Sequence, residues 1–482
     1  MEKSKRIFGN EISNKVYNKA VKAKNKHIKK FGDDSNKVYH LSVDDNVTLS
    51  PFIGIKNIVT SEGNEIIDTD KGIIIGNIRM GFGHYRISMA IASAAYSMGY
   101  TPYWFDLHSY SETTGGKVIA HLNSLYSMGS RWSQKYPLFN KIYWEPLNSE
   151  GFRKLSYNAM DQKVSELMTP IFKELPKDMP FVATHVWPAQ AAIHAGVKKV
   201  VNVIPDNWPM ALHLAEGSIH TVQTPSSFIG YKTLKGMDGK KILKSIPDNE
   251  IYDVGHYIDH ELVVNLDSDC EKRLSRIKNK KTKRILLTVG GAGAQKEIFA
   301  EIILKLMPSI KEKKVALYIN VGDHKSVLDG LYEEIPELAS MSENYFNDWN
   351  KTCDFAKSAL DNDISGIHAF YNEDIFAAVY SSNLLMRSCD ILITKPSELA
   401  FYPVPKLLIK RVGGHEAFGA VRASEVGDGT IECETVARTL QMLDLMLNSD
   451  EILTMFCHNI IKANKIGLYN GAYKVVELAT RK

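Results

Sequence analysis

His84 lies in GNIRMGFGHYRISMA, residues 76–90, where an apolar run meets two glycines and then a helix-forming stretch. An imidazole titrates near neutral pH, so a histidine beside such a turn can take a proton from a hydroxyl brought within hydrogen-bond reach. Gly81 and Gly83 let the backbone approach a ligand closely, and Arg86 adds a cation able to meet developing negative charge. Two more groups stand at the ends of apolar runs in the same half of the chain, His185 in ATHVWP and Asp206 in VIPDNW. Either can accept a proton or orient the group that does, and either can equally cap the element that follows. A dinucleotide fingerprint would read Gly81-x-Gly83 with Asp106 about 20 residues further on, but Arg86 occupies the place of its third glycine and would obstruct close helix–strand packing. No cofactor is expected on this reading.

A second glycine-rich turn occurs in TVGGAGAQKEIF, residues 288–299. The amides of Gly290, Gly291, Gly293 and Ala294, with the positive end of the helix that follows, can cradle a diphosphate without a metal. Further along, DILITKPSELAF places Lys395, Ser397 and Glu398 after an apolar run, and the loop Gly413-Gly414-His415-Glu416 follows the next one. A lysine there neutralises phosphate, and a glutamate accepts hydrogen bonds from ribose hydroxyls. His415, Glu416 and, after GIHA, Phe370 add an imidazole, a carboxylate and an aromatic ring to these segments as further candidates. No pair of acids is spaced to hold a metal, so none is expected.

These residues need elements that hold them. From Lys71 onward apolar strands alternate with helix-length segments: GIIIGNI, SMAIASAAYSMG and YTPYWFDL, then MPFVATHV, AQAAIHAGV and KKVVNVIPD. That alternation predicts a parallel sheet covered by helices, with ligands at the carboxyl ends of its strands. After the lysine-rich EKRLSRIKNKKTK the series repeats with RILLTVGG, QKEIFAEIILKLM, KVALYINVG, CDILITK and KLLIK. The expected division is a polar N-terminal extension over 1–68, a first Rossmann-like domain over 69–260 and a second over 261–482. The last helical segment either finishes the second domain or crosses back to the first.

Composition narrows the function classes. The 482 residues are 44% hydrophobic and 24% charged with a formal net charge of +4, which fits a globular chain of two or three domains and gives no general attraction to nucleic acid. Five cysteines, at 270, 353, 389, 433 and 457, form no CxxC pair, as expected of reduced thiols in a cytoplasmic protein. No run of about 18 uncharged apolar residues is present to span a membrane.

In order and spacing, GFGH, VIPDNWPMALHLAEGSIHTVQTPSSF, VGHYI, GGAGAQ, ITKPSE and GGHEAFGA resemble a group of GT-B glycosyltransferases over about residues 72–440. The group includes monogalactosyldiacylglycerol synthase, the processive diacylglycerol glucosyltransferases and the lipid II N-acetylglucosaminyltransferase. The resemblance implies two Rossmann-like α/β domains facing each other across a cleft, a nucleotide-sugar donor such as a UDP-sugar, and a lipid or glycan acceptor. It also implies metal-independent transfer with inversion at the anomeric carbon. Under it His84 matches the histidine of the acceptor loop, Gly255 to Ile258 match the interdomain strand end, and Glu398 looks like the acid that binds the donor ribose. Two alternatives share the fold: a nucleotide-sugar 2-epimerase, and a non-catalytic sugar-nucleotide or lipid-binding protein.

Residues 15–30 hold seven lysines and no acid. At 3.6 residues per turn Ile12, Val16, Ala20, Ala23, Ile28 and Phe31 form a thin apolar side, so the segment is expected to be a solvated or core-docked arm, or else to rest peripherally on the inner face of an anionic membrane.

Overall fold

The computed structural model describes residues 2–61, 67–290, 293 and 295–481. The chain divides into two compact units, the first running to Asp259 and taking in Gly413–His415 and the segment from Asn470, the second comprising His260–Val412 and Glu416–Tyr469.

Strands of the first unit follow from its apolar runs. A two-residue hairpin, β1 (Arg6–Ile7) and β2 (Asn10–Glu11), precedes β3 (Leu41–Asp45), β4 (Lys56–Thr60), β5 (Gly72–Asn77), β6 (Thr101–Asp106), β7 (Phe181–Ala183), β8 (Val200–Val203), β9 (Ile219–Val222) and β10 (Ile251–Asp253). The last eight form one sheet in the order β10-β9-β8-β7-β5-β6-β4-β3, parallel except for the β3–β4 pair. All six residues of β5 are buried, as a strand covered on both faces requires. Gly76 has no room for a side chain, because a Cβ there would stand 2.4 Å from the ring of Phe181 on β7. The chain leaves β5 toward β6 on one side and later returns to β7 on the other, so the strand order reverses at β5.

The described residues before β5 are part of this unit and not an extension apart from it. Val43 and Ile58, on β3 and β4, complete the core beside Ile74 and Phe105. Helix α1 (Asn14–Phe31), capped by Ser13, buries Ala20 and turns Val16, Ile28 and Phe31, with Ile12 just before it, toward two hydrophobic clusters. Its apolar side is therefore used within the unit, and Lys24 reaches Glu166 at 2.7 Å. At the other end of the chain, helix Gly471–Thr480 packs on β7 and β8. Gly471 is glycine because a Cβ would lie 2.4 Å from the carbonyl oxygen of Gly255.

The second unit has a six-stranded, wholly parallel sheet of β11 (Lys283–Thr288), β12 (Val315–Asn320), β13 (Ser342–Phe346), β14 (Gly366–Tyr371), β15 (Ile391–Thr394) and β16 (Lys406–Leu408). Its order is β13-β14-β12-β11-β15-β16, which reverses at β11 between β12 and β15. Among the described residues no helix is long and apolar enough to cross a membrane, and the five cysteines are free thiols, four of them buried.

One ion pair lies inside this second unit. Lys406, 0% exposed, meets Asp428, 1% exposed, at 2.7 Å, and Tyr469 donates to the same carboxylate at 3.0 Å. Removing one partner leaves a charge in a low-dielectric interior, which costs about 3–5 kcal/mol. Lys406→Met is expected to lower unfolding free energy by that amount in a urea titration, and Lys406→Met/Asp428→Leu to regain most of it.

Candidate active site

The carboxyl end of β5 leads through Gly81, whose φ of 73° favours glycine, into helix α3 (Gly83–Ser97). Helices α1 and α3 are separated by the single turn α2 (Ser50–Ile53). His84 stands in the first turn of α3, with its Nδ1 2.6 Å from the carbonyl oxygen of Thr184, just past the end of β7. Only a protonated nitrogen can donate there, so Nε2 is the basic atom of the neutral ring. Ser88, one turn further along α3, shares a hydroxyl contact of 2.7 Å with Thr184 Oγ1. The β5–β7 crevice, at the reversal of strand order, thus fixes the imidazole through the backbone of the neighbouring strand.

His185 lies beside it, the two rings 4.8 Å apart and edge to face. It is 4% exposed and accepts at Nδ1 from the backbone N–H of Trp187 at 3.1 Å, as the N-cap of the helix Val186–His194. Burial, followed by the neighbouring His84 and His213, holds its pKa well below the ordinary histidine value. His185 is thus held neutral, caps the helix through Nδ1 and sets its ring against His84.

Asp206 follows β8. Its Oδ2 is 2.9 Å from Nε2 of the buried His213, and its Oδ1 is 3.8 Å from Nε2 of His415. Burial alone would raise this carboxyl, but His415 and His213 outweigh it and hold the pKa well below the usual carboxylate range. Asp206 is thus held as a carboxylate between two imidazoles, placed to orient them. Arg86 is 2% exposed within α3 and is not presented to a departing phosphate. Asp106 is also turned inward: its two oxygens accept from the Tyr85 hydroxyl and from the N–H of His108.

In the second unit β11 ends at the turn where Gly293 N–H donates to Gly290 C=O at 2.9 Å. Gly293 has a φ of 62°, and a Cβ on Gly290 would stand 2.8 Å from Cε of Lys395. The glycine turn after β11 and the lysine after β15 are therefore in contact at the second reversal of strand order. Gly291 and Ala294 lie outside the described residues. Lys395 is paired with Glu416 Oε1, and Glu416 Oε2 accepts from the N–H of Val412 at 2.8 Å. Glu416 accordingly positions the lysine. Ser397 and Glu398 are partly buried, Ser397 accepting from Ala400 N–H at 3.0 Å and Glu398 opening the short turn Glu398–Phe401. Phe370 is 0% exposed and stacks on Tyr345 at 4.6 Å. It belongs to the core, because its side chain points into the helix-covered face of β14.

The sequence reading missed Thr184, whose carbonyl holds the imidazole as any residue's would while its hydroxyl meets Ser88, and His213, which a short turn over Ala211–His213 brings to Asp206. It also missed Asp161. No three described His, Cys, Asp or Glu residues are grouped to hold a metal. A cavity lined by Lys199, Val201, Ser218, Glu250 and Arg481 opens at the amino ends of β8 and β9, away from these groups.

Two α/β units built on parallel sheets, each with polar side chains at its reversal point, define a two-domain α/β protein of the Rossmann-like class. Within it, residues 6–233 match the family described as Domain of unknown function (DUF6937) and residues 246–480 the one described as Domain of unknown function (DUF6938). No curated protein matches the chain. Among solved structures, UDP-GlcNAc 2-epimerase from Neisseria meningitidis bound to UDP-GlcNAc is 10% identical, covers 85% of this chain and 100% of its own, and has a TM-score of 0.47. Alpha,alpha-trehalose 6-phosphate synthase from Burkholderia multivorans is 11% identical, with coverage of 85% and 98% and a TM-score of 0.41. A putative UDP-N-acetylglucosamine 2-epimerase from Listeria monocytogenes is 12% identical, with coverage of 84% and 95% and a TM-score of 0.46. Likeness at this level assigns neither a substrate nor a reaction.

Asp161, on the helix Leu155–Ser165, is buried near this site beside Trp187, whose ring lies 4.9 Å from His185. Burial pushes its carboxyl up to about 8, against a smaller opposing effect of Trp187. A folded-state pKa raised above the unfolded one gives stability that is present at low pH and lost as pH rises through the folded value, here from about 4 to about 8. Asp161→Asn is expected to match the wild type in thermal denaturation near the acid end of that window. Near its alkaline end the variant is expected to be more stable by roughly 2–5 kcal/mol.

Proposed function

We propose that this chain is a glycosyltransferase that moves a sugar from a nucleotide diphosphate donor, UDP-linked by the resemblance in sequence, to a hydroxyl acceptor. The observation that carries the reading is the placement of His84 at the β5–β7 reversal, with Nδ1 held by Thr184 so that Nε2 is the basic atom. On this reading the acceptor hydroxyl gives its proton to Nε2 while its oxygen attacks the anomeric carbon. The carbon–oxygen bond to the diphosphate breaks, the electron pair leaves with the diphosphate, and the anomeric centre inverts. In the second unit the turn at Gly290–Gly293 and the Lys395 ammonium meet that charge, with Glu416 fixing the ammonium and Glu398 accepting from the ribose.

Incubation with labelled UDP-sugars tests the reading. Release of UDP with formation of a glycosylated product supports it. Conversion to a 2-epimer, or binding without turnover, replaces it with one of the two alternatives of the same fold. His84→Ala is expected to lower turnover about 100-fold or more with UDP affinity nearly unchanged, since general-base catalysis contributes 10²–10⁴-fold; turnover within a few-fold of wild type would make the imidazole structural. By calorimetry, Lys395→Ala and Glu398→Ala are each expected to weaken UDP binding by about 1.5–3 kcal/mol, the worth of a charge-assisted hydrogen bond. Unchanged affinity in both would place the nucleotide elsewhere.

A further inference from the structure

Residues 114–144 carry four cations, Lys117, Arg131, Lys135 and Lys141, and not one Asp or Glu. The structure builds them as helix α4 (Thr114–Lys135), the single turn α5 (Pro137–Phe139) and a wide turn over Asn140–Trp144. On the outer side of this excursion stand Leu125, Trp132, Tyr136, Leu138, Ile142 and Tyr143, all exposed, Leu138 and Ile142 by 70% and 68%. Leu125, Trp132 and Tyr136 recur at helical spacing, so they share one face of α4 and its C-terminal end. Ser130 and Ser133, turned away from the middle of that face, are buried, and Gly129, between Leu125 and Trp132, is buried under the ring of Trp144.

This exposure belongs to a packed structure. Phe139 meets Trp132 edge to face at 6.0 Å and Tyr143 at 5.4 Å, while Tyr126 meets Trp144 at 5.3 Å. The rings tie the tip to α4 and still leave its outer rim uncovered. Single exposed apolar residues, such as Val47 or Ile242, are normal on any surface, but six within 19 residues on one side form a patch.

We propose that this face of α4 and its tip docks the protein on an anionic lipid bilayer. Leucine and isoleucine at the tip suit the acyl boundary, tryptophan and tyrosine suit the headgroup level, and Arg131, Lys135 and Lys141 suit lipid phosphates. A second copy fits less well, since a two-fold contact would set the same cations against one another with no acid of the stretch to offset them. The surface differs from α1, whose apolar side is spent on the unit's own clusters. The proposal does not rest on the sugar-transfer reading.

Vesicle flotation of the full chain, with phosphatidylcholine alone and with phosphatidylglycerol added, tests it. Binding is expected to the anionic vesicles and to weaken with salt. Leu138→Ser/Ile142→Ser is expected to lower the partition coefficient about tenfold, with circular dichroism and melting temperature unchanged because both residues are exposed. Arg131→Gln/Lys135→Gln/Lys141→Gln is expected to remove the preference for anionic lipid. Wild-type protein that fails to float at low salt, or that floats as well as the tip variant, overturns the proposal. So does loss of binding on Lys15→Gln/Lys19→Gln/Lys22→Gln with the tip variant unaffected, which would move the contact to α1. A dimer in sedimentation velocity that the tip variant converts to monomer would assign the face to a second copy.

Discussion

The constraint on which the rest depends is that a parallel sheet must be wound outward from a central strand. Each return to a parallel neighbour needs a covering connection, so the chain fills one side of β5 with β6 and then passes to the other side with β7. At the carboxyl ends of β5 and β7 the connections depart in opposite directions and leave a crevice. The same winding places β12 and β15 on opposite sides of β11. Polar residues that follow β5, β7, β11 and β15 are thereby gathered at two places whatever their distance in sequence. His84 and Thr184 are 100 residues apart, and Gly290 and Lys395 meet across a comparable interval.

Gathering polar groups beside buried strands obliges them to satisfy one another. Thr184 receives the His84 N–H, Trp187 gives its backbone N–H to His185, and His213 pairs with Asp206. These bonds do more than stabilise. They select the tautomer of each imidazole and separate the ionisation of neighbouring groups, so that a neutral His185 and a charged Asp206 share one neighbourhood. Lys395 and Glu416 show the same economy in the second unit, where the carboxylate holds the ammonium against a turn kept open by Gly290.

Covering a sheet also decides which apolar surface is left over. Helix α1 would be a thin amphipathic strip by itself, yet its apolar residues close two clusters of the first unit. The tip after α4 behaves in the opposite way, because its aromatic residues pack on one another and leave leucine and isoleucine outside. An apolar count along the chain does not separate these two cases; only the neighbour on the other side of each helix does.

The alternation of apolar strands with helix-length segments determined the α/β class, the two Rossmann-like series and the positions of both glycine turns, because the periods of strand and helix are local properties of the chain. Gly81 and Gly293 were legible for the same reason, as turn glycines between a strand and a helix, and both take a positive φ. What lay beyond the sequence was direction. Phe370 follows an apolar run as a ligand-contacting ring might, but the pleat turns it into the core against Tyr345. Glu416 and Arg86 have the right charges for a donor site, yet one is taken by Lys395 and the other is enclosed in α3. His213 carries no mark in its own segment, since its role comes from Asp206, on a loop after another strand. The N-terminal 68 residues read as polar and separate because β3 and β4 are short, and their apolar positions acquire meaning only beside β6. Residue type and local period sufficed for the elements; the partner of each side chain was decided by strand order, which no local segment contains.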